Sequence, residues 1–332
     1  MTAADRRSLV AFAATSIFFG GTFVAAKAGL AYFPPLLFVA LRFDVAAVAL
    51  LGYAAVTTPR TDLLPRTRRD AAGILATGVL AIGLTNALLF VGQEYTTSAA
   101  AAIVFSLNPI LTPVFAAFLL ADERLSLRGV LGMALGFVGV ALVVDPDPST
   151  LLGGGVGQAI LFAGAVSGAL GSVLIRRAGD GLSSTVRTAW GLPFAAVLCH
   201  LLSLAVGESP AAVEWTPTAM AALGYVGLLA GAVAYIAYFG LLDDAGAIRA
   251  NLVFYAVPVV AALGGWMLLG ETISAVAVAG FVTIFTGFLV LGSESADLPT
   301  QRGRITRLGG IDPTGAVDPP DVVDEPRGFE AD

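Results

Sequence analysis

The 332-residue chain holds one cysteine, one histidine and one lysine, and only 13% of it is charged. Each scarcity excludes something. Cys199 alone permits no intramolecular disulfide and no cysteine-rich metal site. His200, beside it in an apolar run, reads as a satisfied histidine within or at the edge of a membrane rather than as a metal ligand. A soluble domain carries about 25% charged residues because its surface must be solvated; this chain is 57% hydrophobic and cannot cover such a globule. P-loop, HExxH and GxSxG patterns are all missing, so ATP hydrolysis, zinc chemistry and serine chemistry have no basis here. No cofactor and no nucleic-acid partner is expected, and the process is expected to be passive or gradient-driven.

What the chain has instead is repeated apolar runs of about 20 residues, the length a helix needs to cross roughly 30 Å of hydrocarbon. A transmembrane β-barrel would alternate apolar and polar residues over segments of about 10 residues, and nothing here alternates that way. The first run follows DRR and continues to Ala31, too long for the apolar region of a cleaved signal. The expected fold is an all-α polytopic membrane protein with ten transmembrane helices. The spans fall at 9–31, 34–56, 71–93, 96–120, 127–144, 155–175, 188–206, 218–242, 249–269 and 274–292.

Loops on the cytoplasmic side retain arginine and lysine. With the N-terminus inside, 16 of the 18 basic residues fall on that side, and the exceptions are Lys27 and Arg42. The outer loops then hold Glu94, Asp145, Asp147, Glu208, Glu214 and Glu271 and no basic residue. A multi-pass protein of the cell membrane with both termini cytoplasmic is expected. Residues 1–8 form a short cytoplasmic N-terminus. Residues 293–332 form an acidic, proline-rich tail with too little apolar material to fold alone.

The chain also repeats itself. A constant shift of 149 residues pairs Gly78 with Gly227, Phe90 with Phe239, Phe105 with Phe254 and Pro109 with Pro258, and carries Lys27 onto Arg176. After one residue is dropped the shift becomes 148, and Glu123 meets Glu271, Ser126 meets Ser274 and Gly139 meets Gly287. Two copies are expected, 9–144 and 155–292, with five spans each. Five is odd, so the second copy enters from the opposite side and lies inverted. Secondary transporters are often built this way, with substrate near the midplane between the copies.

NPILTPVFAAFLLADERLSLRGVLGMALGFVGVALVV resembles the end of an EamA-type repeat of the drug/metabolite transporter superfamily, and PVVAALGGWMLLGETISAVAVAGFVTIFTGFLVL resembles it again. SIFFGGTFVAAKAGL and LRF at 41–43 resemble the repeat's opening helices. The resemblance covers 9–292. It implies ten helices in two inverted five-helix repeats and the export or exchange of a small metabolite, amino-acid-like or another organic solute, by alternating access. Two positions depart from the pattern: ADE stands where Gly-Glu is usual, and Asp44 follows LRF.

Cost ranks the candidate residues. Lys27 lies near the outer boundary of its span and reads either as a snorkelling lysine or as a cation at the cavity mouth. Arg42 and Asp44 lie about 12 and 15 Å from the outer end of theirs, too deep to be left unpaired in lipid. Lys27, Arg42 and Asp44 are expected to cluster, with Lys27 as partner of Asp44, either as a structural ion pair or as a substrate or coupling-proton site. Asn86, Gln93, Asn108, Tyr235, Tyr238, Asn251 and Tyr255 are expected to face inward and line the site. Glu123 and Glu271 are expected to cap helix starts. Pro109 and Pro258 are expected inside spans, where the carbonyls they free must be satisfied by protein or cavity. Partners are then a small solute, the bilayer, and a coupling proton or counter-substrate. A sensory or structural membrane protein, or an intramembrane enzyme using Asp44 or a glutamate as acid, are the alternatives.

Overall fold

The computed structural model describes residues 3–120, 127–144, 155–179, 181–241 and 253–296, and all regular structure in them is helical. The long helices are α1 (Ala3–Gly29), α2 (Pro35–Thr57), α3 (Arg68–Gln93), α4 (Ser98–Leu119) and α5 (Leu127–Val144). They continue as α6 (Val156–Ala178), α7 (Ser184–Ala205), α8 (Pro217–Leu241), α9 (Val253–Leu269) and α10 (Ala275–Ala296). Seven of them, α1–α4 and α6–α8, are long and apolar enough to cross a membrane; α5, α9 and α10 carry apolar stretches of 10–17 residues. The protein is therefore a multi-pass helical membrane protein. Helix α10 runs to Ala296, past the expected end of its span. Glu123, Asn251 and the acidic tail beyond Ala296 lie outside the described residues.

Local chemistry sets the helix ends. Pro35 opens α2, where its missing N–H costs nothing, and Pro59 holds Thr58 extended and stops that helix. Thr67 and Asp70 close a reciprocal capping box at the start of α3. Thr97, Ser183, Thr216 and Ser274 accept from backbone N–H groups at the starts of α4, α7, α8 and α10. Gly179 ends α6 with φ +90°, a conformation that a side chain would strain.

Two helices are not α-helical throughout. α3 turns π-helical over Ala76–Leu84 and α8 over Tyr225–Val233, stretches of equal length set 149 residues apart. The N-caps Thr67 and Thr216 and the starts of α2 and α7, Pro35 and Ser184, are separated by the same 149. Leu127 and Ala275, which begin α5 and α10, are 148 apart.

The packing crosses between the halves of the chain. α2 and α7 pack along each other and form the centre, where Phe38, Phe43, Leu50, Leu192 and Cys199 are fully buried. α3 lies against α6 and α7, and α8 against α1 and α2; α4 packs on α6, and α9 on α1. Lipid tails are as apolar as leucine, so membrane helices associate through close packing rather than through expulsion of water, and small residues mark the contacts. A Cβ on Gly78 would lie 2.3 Å from the Gly191 carbonyl oxygen of α7, and one on Gly227 would lie 2.9 Å from Val45 Cβ of α2. Gly78→Ala is expected to lower the thermal midpoint, since overpacking costs about 1–3 kcal/mol. Gly52→Ala is expected to leave the midpoint unchanged, because nothing lies within 4 Å of the added carbon. Thermal unfolding of the purified protein in detergent compares the two.

Candidate functional site

Residues two apart on a helix point to nearly opposite sides, and α2 uses this to separate its two charges. Arg42 turns inward and is 3% exposed. Asp44 turns outward, its side chain 48% exposed, with Oδ2 2.9 Å from Nε2 of His200 on α7. The expected cluster of Lys27, Arg42 and Asp44 is therefore not formed. Lys27 reaches neither residue: its Nζ donates to the carbonyls of Gln93 (2.8 Å) and Glu94 (3.4 Å). A cation there offsets the unpaired carbonyls and negative dipole end of α3, a demand nearer to Lys27 than Asp44 is.

Arg42 sits where α2, α3, α7 and α8 meet. Its Nη1 donates to Asn86 Oδ1 on α3 at 3.2 Å, and Asn86 is held in that orientation because its Nδ2 donates to the Ile82 carbonyl at 2.8 Å. The guanidinium carbon lies 5.0 Å from the Phe43 ring centroid and 5.3 Å from that of Phe90, within cation–π range. The Tyr235 phenol on α8 and the buried Cys199 thiol on α7 act on its charge through space. Arg42 Nε has no hydrogen-bond partner, and no carboxylate among the described residues pairs with it.

The π-helical stretches aim the flanking groups. Asn86 and Tyr235 each stand two residues beyond one of them, again 149 apart. A π-turn displaces carbonyls from the α pattern, and side-chain hydroxyls take one of these up: Thr85 Oγ1 (2.7 Å) and Ser167 Oγ of α6 (3.0 Å) both donate to the Leu80 carbonyl. Beyond Tyr235 an aromatic wall continues. Phe19 of α1 meets Tyr235 at 5.3 Å, Tyr238 at 6.2 Å and Phe254 of α9 at 6.4 Å, and Tyr238 meets Phe254 at 5.7 Å. Phe19, Asn86, Tyr235 and Tyr238 each keep some accessible surface despite this packing.

The remaining candidates serve other positions. Gln93 is fully buried at the Lys27 end of the bundle, where its Nε2 donates to the Phe23 carbonyl while its Oε1 is unpartnered. Asn108 lies against α6, close enough that a Cβ on Gly168 would meet its Nδ2. Pro109 is not inside a continuous helix. α4 breaks after Phe105, and Pro109 falls in the first turn of the second segment, Asn108–Leu119, whose interior proline is Pro113. Pro258 is inside α9, and Tyr255 is placed on α9 by its backbone alone.

Glu271 does cap a helix, but not the one that follows it. Ser274 caps α10, while Glu271 reaches across to α4, accepting from Ser98 N–H at 3.0 and 3.1 Å, with the Ser98 hydroxyl 3.2 Å away. Glu208, read from sequence only as an acidic loop residue, does the same for α2. It accepts from Leu36 N–H (3.0 Å), Leu37 N–H (2.7 Å) and Ser203 Oγ (2.8 Å). Its one sequence signal is the Pro34–Pro35 pair, which leaves the first free N–H groups of α2 without a local cap. Nearby, burial pushes the Glu94 carboxyl above the usual carboxylate range, with Glu208 adding to the shift and Lys27 opposing it. Glu208 and Glu271 thus bind the two halves of the chain together at the end where Lys27 and Gln93 also lie.

Glu271→Gln is expected to lower the thermal midpoint, because charge-assisted hydrogen bonds contribute about 1.5–3 kcal/mol each; an unchanged midpoint would remove its capping role. Lys27→Met and Asp44→Asn share no contact, so their effects on unfolding free energy should add to within about 0.5 kcal/mol. A larger coupling in the double-mutant cycle would restore the ion pair that the geometry denies.

The sequence pattern of the EamA-like transporter family matches residues 6–145 and again 155–293. The chain is 32% identical over 284 residues to the uncharacterized transporter YyaM of Bacillus subtilis, covering 82% of this chain and 90% of that one. It is 28% identical over 262 residues to the uncharacterized inner membrane transporter YedA of Escherichia coli, covering 78% and 81%. One crystal structure superposes with a TM-score of 0.60 over 89% of this chain and 99% of its own, at 22% identity, which carries the fold alone. With the family pattern matched twice across nearly the whole helical region, the chain belongs to the EamA-like transporter family.

Proposed function

We propose that this membrane transporter moves a small organic solute across the cell membrane by alternating access, in the direction of export or exchange. In this reading ten helices cross the bilayer as two five-helix repeats of opposite orientation, 9–144 and 155–292, with both termini cytoplasmic. The observation that carries it is Arg42. Its guanidinium meets Asn86 of α3, whose equivalent 149 residues on is Tyr235 of α8, and a transported solute binds at such a boundary between inverted copies. The helix-capping contacts of Lys27, Glu208 and Glu271 close the outer end, so the opposite state requires them to part while the site stays in place.

Arg42, Asn86, Tyr235 and Tyr238 hold the solute in this scheme, and Asn108 lines its path. Lys27, Gln93, Glu208 and Glu271 belong to the outer gate. No buried carboxylate of the described residues stands beside Arg42 to carry a proton, which favours exchange against a counter-substrate over proton coupling. Purified protein in liposomes preloaded with a mixed pool of radiolabelled metabolites is expected to release at least one of them faster than protein-free liposomes, and faster still with unlabelled pool outside. Release no faster than from protein-free liposomes across the pool would leave a sensory or structural protein as the better reading.

A further inference from the structure

We propose that Arg42 receives the negatively charged end of the transported solute, and that the solute class is a small organic acid of net negative charge with an apolar or aromatic body. The inference rests on the transporter reading for the word transported, but the anion site itself does not.

Lys27, Asp44, Glu208, Glu271 and Asp70 each have a partner suited to them. Lys27 has two carbonyls, Asp44 has His200, and Glu208 and Glu271 each accept from a helix start. Asp70 accepts from the N–H groups of Arg66 and Thr67. Arg42 is the exception. It is 3% exposed in the centre of the bundle, about 11 Å along α2 from its start, and it has one amide oxygen, two ring faces and no anion. A guanidinium so placed is costly, and breaking a desolvated pair is normally what leaves a charge in that condition.

The geometry of the fork sharpens this. Asn86 occupies Nη1, which leaves the edge that carries Nε, and Nε makes no hydrogen bond. That edge is the one on which arginine takes a carboxylate with two parallel hydrogen bonds. The fixed amide of Asn86 keeps the plane of the guanidinium from turning away.

Chemistry along the aromatic wall selects the rest of the ligand. Phe19, Tyr235, Tyr238 and Phe254 offer ring surface. No carboxylate of the described residues is hydrogen-bonded along this wall: Glu94, Glu208 and Glu271 lie at the Lys27 end, Asp70 at the other, and Asp44 turns outward to His200. A cationic amine therefore finds a fixed positive charge and no counter-charge, which disfavours amines outright and zwitterions relative to net anions.

Two variants of opposite charge logic test this. Arg42→Gln removes the anion's partner. Asn86→Asp gives the guanidinium a carboxylate of its own, which should support folding while competing with any ligand anion. Thermal unfolding of the full chain in detergent is read with phenylacetate and isovalerate, their amides, and the amines phenethylamine and isopentylamine, each at 10 mM. The expected result is a rise in midpoint of several degrees with at least one acid, none with its amide or amine, and no rise with that acid in Asn86→Asp or in Arg42→Gln where that variant folds. Equal stabilisation by amide or amine, a rise that persists in Asn86→Asp, or no rise with either acid would each overturn the proposal. Flux in liposomes separates the two readings. Arg42-dependent binding of an acid without its transport would reject the transporter and leave the anion site standing. Transport of the amines with exclusion of the acids would reject the anion site and leave the transporter.

Discussion

A helix that begins or ends inside a membrane protein leaves backbone N–H or C=O groups without partners, and in hydrocarbon no water takes their place. This molecule meets that demand by borrowing from the other half of its own chain. Glu208 supplies the start of α2 and Glu271 the start of α4, both from the C-terminal half, while Lys27 caps the end of α3 within the N-terminal half. The two glutamate contacts each satisfy a local deficit and at the same time tie elements that lie about 170 residues apart in sequence. The same groups that complete secondary structure thereby become the joints between halves. Joints of this kind suit a protein that must change shape: parting them exposes only polar groups at a wet surface, whereas parting a packed apolar core would not.

The interior follows a different logic. The π-helical stretches of α3 and α8 displace carbonyls that straight α-helices would keep paired, and Thr85 and Ser167 take up the one at Leu80. The reward for the irregular winding is placement. Asn86, just beyond the first stretch, comes to the Arg42 guanidinium, and Tyr235 stands at the equivalent place beyond the second. Glycines at the crossings, Gly78 against Gly191 and Gly227 against Val45, let α3 and α8 approach α7 and α2 closely.

Much of this was legible in the sequence, but unevenly. Hydropathy located the helices, and the 149-residue register foretold that features of α3 would recur in α8, because a packing solution found once is reused when its glycines and aromatics are. Depth along a helix was also readable, which is why Arg42 stood out as too costly to be idle. Azimuth and neighbours were not. Asp44 is as deep as Arg42 but turns outward, and only the packing of α2 on α7 brings His200 to it. Glu208 looked like any loop acid, since nothing in its own neighbourhood announces that Leu36 and Leu37 lack a cap. The π-helical winding left no local mark, because Ala-Thr-Gly-Val-Leu-Ala-Ile-Gly-Leu would serve an α-helix as well.

The distribution of charge then separates structure from work. The carboxylates and lysine at the bundle's end are matched by backbone dipoles, and a matched charge holds a shape. Arg42 is matched by polarisable ring faces and one amide, an environment that tolerates the cation without neutralising it. A site that had to bind and release an anion would need this intermediate condition. A built-in carboxylate would make the empty protein more stable and the loaded one impossible, while an apolar cradle alone would make the empty protein too costly to fold. A solute of net negative charge also sets the direction of least resistance, because an inside-negative membrane potential favours its exit by about 2.3 kcal/mol per charge for each 100 mV. Export of such a solute needs no nucleotide and no buried proton carrier, only a cation at the crossing point of the halves and two ends that open in turn.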